Sequence, residues 1–139
     1  MSDRLAVLVV DDSAATRGYL AATLESGGPY RVIQAENGFE ALRLLPRHRF
    51  DLVVSDVNMP DINGLELVRF VRESPEHKQT PVLLVTTDGR PVDRERGARL
   101  GASGYLVKPF APEELLRVVK ELLDAPKLPG APGAPGSPR

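Results

Sequence analysis

Five short apolar runs recur along this chain, and four of them stop abruptly at residues suited to chemistry. Leu5 to Val10 ends in Asp11-Asp12, and Phe50 to Ser55 ends in Asp56. Pro81 to Val85 ends in Thr86-Thr87-Asp88-Gly89, and Gly104 to Val107 ends in Lys108-Pro109. Tyr30 to Ala35 is the remaining run. A continuous apolar run such as Leu5 to Val10 predicts a strand buried on both faces, and Tyr30 to Ala35 a shorter strand.

Helical periods fill the gaps. Ser13 to Glu25 carries Tyr19, Leu20 and Leu24 on its apolar stripe, with Ser13 as N-cap and Gly27-Gly28-Pro29 as a stop. Asn37-Gly38 opens a second helix, with Phe39, Ala41, Leu42 and Leu45 inward, which ends near Pro46. Leu65 to Arg72 keeps Leu65, Val68 and Val71 in register. Val92 to Leu100 is weaker, because the interior Gly97 costs about 1 kcal/mol relative to Ala. The arginines 90, 94, 96 and 99, interleaved with Asp93 and Glu95, read as a solvated face. Pro112 to Leu123 places Leu115, Val118, Val119 and Leu122 on one side.

Five strands alternating with five helices through short connections predict an α/β fold, with parallel pairing, right-handed crossovers and helices on both faces. Ligands of such sheets bind beyond the carboxyl ends of the strands. Asp11, Asp12, Asp56, Thr86 and Lys108 all fall there. This pattern makes one domain over 1–124. Residues 125–139 differ: prolines at 126, 129, 132, 135 and 138 with glycines at 130, 133 and 136 predict a polyproline-II-like, disordered tail or linker.

Bulk properties narrow the function. A net charge of −1 gives no reason to expect direct nucleic-acid binding. The lack of cysteine excludes disulfides and thiolate metal sites. The apolar runs are too short for membrane insertion, and the start lacks the features of a signal peptide, so a cytosolic location is expected.

Carboxylates gathered at strand ends repel one another, and a divalent cation relieves that repulsion. Mg²⁺ prefers oxygen donors, whereas zinc is disfavoured without Cys and with His48 and His77 off the rim, in polar loops where both are expected to be solvated. An ion beside a carboxylate suits phosphoryl transfer, and the carboxylate can itself be the nucleophile. A Lys supplies a point charge for one phosphoryl oxygen, and a Thr hydroxyl donates a hydrogen bond to another.

These residues resemble those of the receiver domain of two-component response regulators, of the CheY type. The resemblance runs from Arg4 to about Leu123 and rests on Asp11-Asp12, Asp56-Val57-Asn58-Met59-Pro60, Thr86, and Tyr105-Leu106-Val107-Lys108-Pro109-Phe110. It implies a flavodoxin-like, doubly wound five-stranded sheet of order 2-1-3-4-5. By resemblance, Asp56 is the phosphoacceptor for a histidine kinase. Asp12, Asp56 and the backbone carbonyl of Asn58 ligate Mg²⁺, and Asp11 acts mostly through water. Lys108 pairs with Asp56 and then with the phosphoryl group, and the bond to Pro109 is cis. Thr86 moves toward the phosphoryl group, and Tyr105 changes rotamer. That alters partner binding on the face built from the fourth helix, fifth strand and fifth helix. The module catalyses its own phosphorylation and dephosphorylation without being a conventional enzyme.

Three departures bear on tuning. Thr87 replaces the small residue common after the strand-end Thr, and its bulk slows exchange at the site. Asn58 and Asp88 stand two places after Asp56 and Thr86, where the family tunes hydrolysis; orienting water and repelling it are both open to Asp88. Ser103-Gly104 replaces an acidic pair of winged-helix regulators, so the region resembles motility-type, chemotaxis regulators instead. The competing reading is a docking or scaffold domain with the same fold and no use of phosphorylation. A haloacid-dehalogenase-type phosphatase needs an acid where Asn58 stands, and a flavodoxin needs a hydroxyl-rich loop after the first strand.

Overall fold

The strand-forming runs assemble into one parallel sheet of order β2-β1-β3-β4-β5. The computed structural model describes residues 4–87 and 91–125. Its strands are β1 (Leu5–Val10), β2 (Tyr30–Ala35), β3 (Leu52–Asp56), β4 (Val82–Thr86) and β5 (Gly104–Val107). The helices are α1 (Ala14–Gly27), α2 (Gly38–Leu44), α3 (Gly64–Glu73), α4 (Pro91–Leu100) and α5 (Pro112–Asp124). Asp88, Arg90, the side chain of Asp93 and the tail beyond Ala125 lie outside the described residues. Among the described residues, no helix is long and apolar enough to cross a membrane.

Strand alternation divides the core in two. Val7 and Val9 of β1, Val54 of β3 and Val85 of β4 point toward Leu20 and Leu24 of α1 and Leu115 and Val119 of α5. Leu8 and Val10, Val53, and Leu84 point the other way, among Ala41 of α2 and Leu65 and Val68 of α3. Both faces are covered, which is why β1, β3 and β4 are apolar up to their carboxyl ends, whereas β2, at the sheet edge, exposes Arg31 and Gln34. Gly97 of α4 belongs to the second layer. A Cβ there would lie 3.1 Å from Leu84 Cδ1, so the glycine that weakens α4 as a helix lets it approach β4.

Helix ends follow the capping chemistry. Ser13 accepts from the Thr16 N–H, and Asn37 accepts from the Glu40 N–H. Asn63 and Glu66 form a reciprocal capping box on α3. Pro46 does not simply stop α2; the chain tightens into a 3-10 turn over Leu45–Arg47.

Three expectations are overturned. Tyr19 and Phe39 are 45% and 61% exposed, not inward. Ala21 takes the buried place beside Leu20 on α1, and the stripe of the short α2 is carried by Ala41, continued by Leu45 in the turn that follows. His77 is not solvated: it is 1% exposed, and its Nε2 accepts the Phe50 N–H at 3.4 Å. Phe50 lies 6.0 Å away, ring to ring, and supplies the apolar wall that shields the imidazole. His48 is exposed, as expected of a polar loop.

This burial has a pH consequence. Burial lowers the His77 pKa from its ordinary 6.5; Arg49 adds to the effect, while Glu76 and the His48 backbone oppose it. Between the folded and unfolded pKa values the unfolded chain binds more protons, so stability falls as pH drops through about 6.5. It levels off below the lowered value. Denaturant unfolding across this range should show that slope in the wild type and lose it in His77→Gln; an equal slope in both would refute the assignment.

Candidate functional site

Parallel register brings the polar strand ends to one rim. Val10 pairs with Ser55, Asp56 with Val85, and Thr86 with Val107. Asp11 and Lys108 each follow directly on a strand, so they project beyond the same edge. Carboxylate oxygens of Asp11, Asp12 and Asp56 lie within 4.8 Å of one another. Asp11 and Asp56 are buried, at 1% and 8% exposure, while Asp12 is exposed. The cluster therefore has a sheltered floor and an open side.

Lys108 reaches both buried acids. Its Nζ is 3.2 Å from Asp11 Oδ2 and 3.8 Å from Asp56 Oδ1, so Asp11 is the nearer partner. The Lys108 backbone N–H donates to the Thr86 carbonyl at 2.7 Å, which fixes where the side chain leaves the sheet. The Lys108–Pro109 peptide is cis. Thr86 is fully buried, and its Oγ1 accepts from Asn58 Nδ2 at 3.3 Å. The Asn58 backbone N–H points to Asp56 Oδ1 at 3.4 Å, while Asn58 itself is exposed. Thr87 is exposed at the end of β4. Tyr105 stands on β5, half-buried, away from the acids in the chain order of the rim.

The electrostatics are those of crowded, poorly solvated carboxylates. Burial pushes the Asp56 carboxyl up. Lys108 counters this, Asp11 and Asp12 add to it, and the Asn58 backbone N–H opposes it. Three carboxylates cluster where one ammonium, that of Lys108, pairs with two of them, so negative charge is in excess. An all-oxygen donor set with excess negative charge and one open side fits Mg²⁺, which binds through few carboxylates and keeps several waters.

Several supporting residues escaped the sequence reading. Arg17 Nη1 donates to the Asp11 carbonyl at 2.8 Å, tying α1 to the first acidic loop. Asp61 accepts from the Gly38 and Phe39 N–H groups at 3.2 and 2.9 Å, tying the loop after Asp56 to the start of α2. Gly64 donates to the Val57 carbonyl at 2.9 Å and lies against the Asp56 backbone. Arg94 sits over the Tyr105 ring at 5.2 Å. The only local signal was Gly64, which opens α3 after a proline-bearing loop; the others act across elements distant in sequence.

Comparison with known proteins agrees with this geometry. Residues 7–120 match the model of the response regulator receiver domain. A chemotaxis protein CheY homolog of Campylobacter jejuni is 37% identical over 118 residues, covering 84% of this chain and 91% of that protein. The structure of chemotaxis protein CheY4 of Vibrio cholerae superposes with a TM-score of 0.82 at 43% identity, covering 86% of this chain and 98% of that one. The receiver domain of a Pseudomonas aeruginosa sensor histidine kinase carries a magnesium ion coordinated in its active-site cleft; it is 29% identical, with a TM-score of 0.80, over 88% of this chain and 99% of its own. With the acidic rim, the sheet order and a family match over most of its length, this chain belongs to the response regulator receiver domains, of the CheY-like kind.

Proposed function

We propose that this protein is a phosphorylation switch in which Asp56 accepts a phosphoryl group from the phosphohistidine of a histidine kinase. The observation that carries the reading is the convergence of Asp11, Asp12, Asp56, Lys108 and Thr86 on one rim. An Asp56 carboxylate oxygen attacks phosphorus, the P–N bond to the donor imidazole breaks, and the imidazole leaves with the electron pair. Mg²⁺, when bound, neutralises charge developing on the phosphoryl oxygens. Asp12, Asp56 and the Asn58 carbonyl would hold it, with Asp11 acting through water. Lys108, already within 3.8 Å of Asp56, turns to a phosphoryl oxygen. Water later attacks the same phosphorus and returns free Asp56. The chain promotes both reactions on itself, as a signalling phosphoacceptor rather than a conventional enzyme.

The signal then leaves through Thr86. Its hydroxyl, held by Asn58 at 3.3 Å, turns toward the phosphoryl group, and the Tyr105 ring follows into the space released. The face formed by α4, β5 and α5 thereby changes its affinity for a downstream protein, a two-state shift driven by local charge. Thr87, at the exposed end of β4, narrows access to the site and slows exchange. The likeness to chemotaxis proteins of Campylobacter jejuni and Vibrio cholerae supports a role in chemotaxis or motility signalling.

Beryllofluoride, which mimics a phosphoryl group on a carboxylate, tests this reading. Amide NMR should show saturable, Mg²⁺-dependent shifts near Asp56, Thr86 and Tyr105. A folded spectrum that does not respond would sink the switch and favour a docking domain that binds partners unmodified.

A further inference from the structure

Tyr105 has a close companion that no part of the phosphoryl chemistry requires. Arg94, in the first turn of α4, places its guanidinium carbon 5.2 Å from the centre of the Tyr105 ring. That is inside the range at which a cation is attracted to the face of an aromatic ring. Arg94 is exposed, and no carboxylate pairs with it among the described residues; the adjacent Glu95 sits 4.0 Å from Arg99 instead. The other end of α4 is held separately. Arg72 Nε donates to the Gly101 carbonyl at 3.0 Å, and its Nη2 donates to Ser103 Oγ at 3.3 Å. The two ends of α4 therefore have different attachments: a hydrogen-bonded clamp at the carboxyl end, and a guanidinium resting on the Tyr105 ring at the amino end.

We infer that Arg94 is a latch on Tyr105, a positioning residue that stabilises the unphosphorylated arrangement and lets go when the ring changes rotamer. The inference rests on the reading of Tyr105 as the switch residue. The contact exists in the unmodified state, and it is lost when the ring leaves the guanidinium. It therefore opposes activation by its own strength. For an exposed cation–aromatic contact, that strength corresponds to a factor of about two to five in an equilibrium.

The sign of the effect separates a latch from a simple charge. Beryllofluoride on Asp56 adds negative charge, so removing a nearby cation should weaken its binding if the field of Arg94 were what mattered. Removing a latch should strengthen it. Beryllofluoride titrations with Mg²⁺, followed by amide and Tyr105 ring NMR, are therefore compared for wild type, Arg94→Gln, Arg94→Lys, and Arg94→Gln in a Tyr105→Leu background. Arg94→Gln is expected to bind about two- to fivefold more tightly. Arg94→Lys keeps the cation and should stay near wild type. The gain should vanish without the ring. Unchanged or weaker binding in Arg94→Gln, or an equal gain in the Tyr105→Leu background, overturns the latch and leaves the switch standing. Tyr105 ring signals that do not move in saturated wild type overturn both. The exposed position of Arg94 leaves the core untouched, and matching denaturation midpoints would verify that.

Discussion

Asp56→Asn is expected to abolish acyl-phosphate formation and, in the same molecule, to raise stability. The amide cannot act as the nucleophile, so intact-mass spectrometry after incubation with acetyl phosphate and Mg²⁺ should show no phosphorylated species. The gain in stability comes from the folded environment. Asp56 is 8% exposed, and burial, with Asp11 and Asp12 adding to it, raises its pKa despite Lys108. A raised carboxyl pKa means that the fold disfavours the ionised form. The native state then holds its proton to higher pH than the unfolded chain, so stability is gained as pH falls through the folded value and is missing at neutral pH. Asn removes that cost, for a gain on the order of 1 kcal/mol at neutral pH without Mg²⁺. Saturating Mg²⁺ should stabilise the wild type more than the variant and so close the gap. A less stable variant would mean that hydrogen bonding by Asp56 outweighs the crowding. A phosphorylated variant would move the acceptor elsewhere.

The second large effect is expected at Gly64, the first residue of α3. A Cβ there would lie 2.5 Å from the Asp56 carbonyl oxygen and 2.9 Å from Val57 Cα. Both are backbone atoms of the strand end that carries the acceptor, and neither can swing aside. Gly64→Ala should therefore push α3 off the rim and cost about 3 kcal/mol, the upper end for overpacking. Beryllofluoride binding should weaken too, because Gly64 also holds the loop after Asp56 through the Val57 carbonyl. Gly97 supplies the contrast. Its nearest obstruction is Leu84 Cδ1 at 3.1 Å, the tip of a flexible side chain. There the helix gains about 1 kcal/mol from Ala, which offsets the crowding, so Gly97→Ala should be close to neutral. Urea unfolding of the two variants settles the comparison; equal losses would show that helix position, not the identity of the obstructing atom, governs the cost.

Much of this protein was legible in one dimension because two periods and a few stop signals carry it. Unbroken Val and Leu runs mark strands covered on both faces, and Asp11, Asp56, Thr86 and Lys108 are placed by being next to, or last in, such strands. A parallel sheet puts every carboxyl end on one rim, so the cluster needed only strand ends to be recognised. Shorter periods were less informative. Seven residues of α2 do not define a helical phase well enough to show that Phe39 faces solvent, and on α1 the small Ala21, rather than Tyr19, fits beside Leu20. His77 reads as a loop residue because its neighbours are polar; Phe50, 27 positions away, makes its site apolar.

What the sequence determined by itself is the order of elements and the chemistry at their ends, because both depend on neighbours along the chain. Tertiary structure alone decided which groups share a space. Lys108 lies nearer Asp11 than Asp56, Arg17 and Asp61 tie the acidic loops to helices, Gly64 admits α3 against the acceptor strand, and Arg94 covers Tyr105. Each of these depends on the distance between elements after packing. That distance is set by the summed volumes and contacts of the whole core, which no local period encodes.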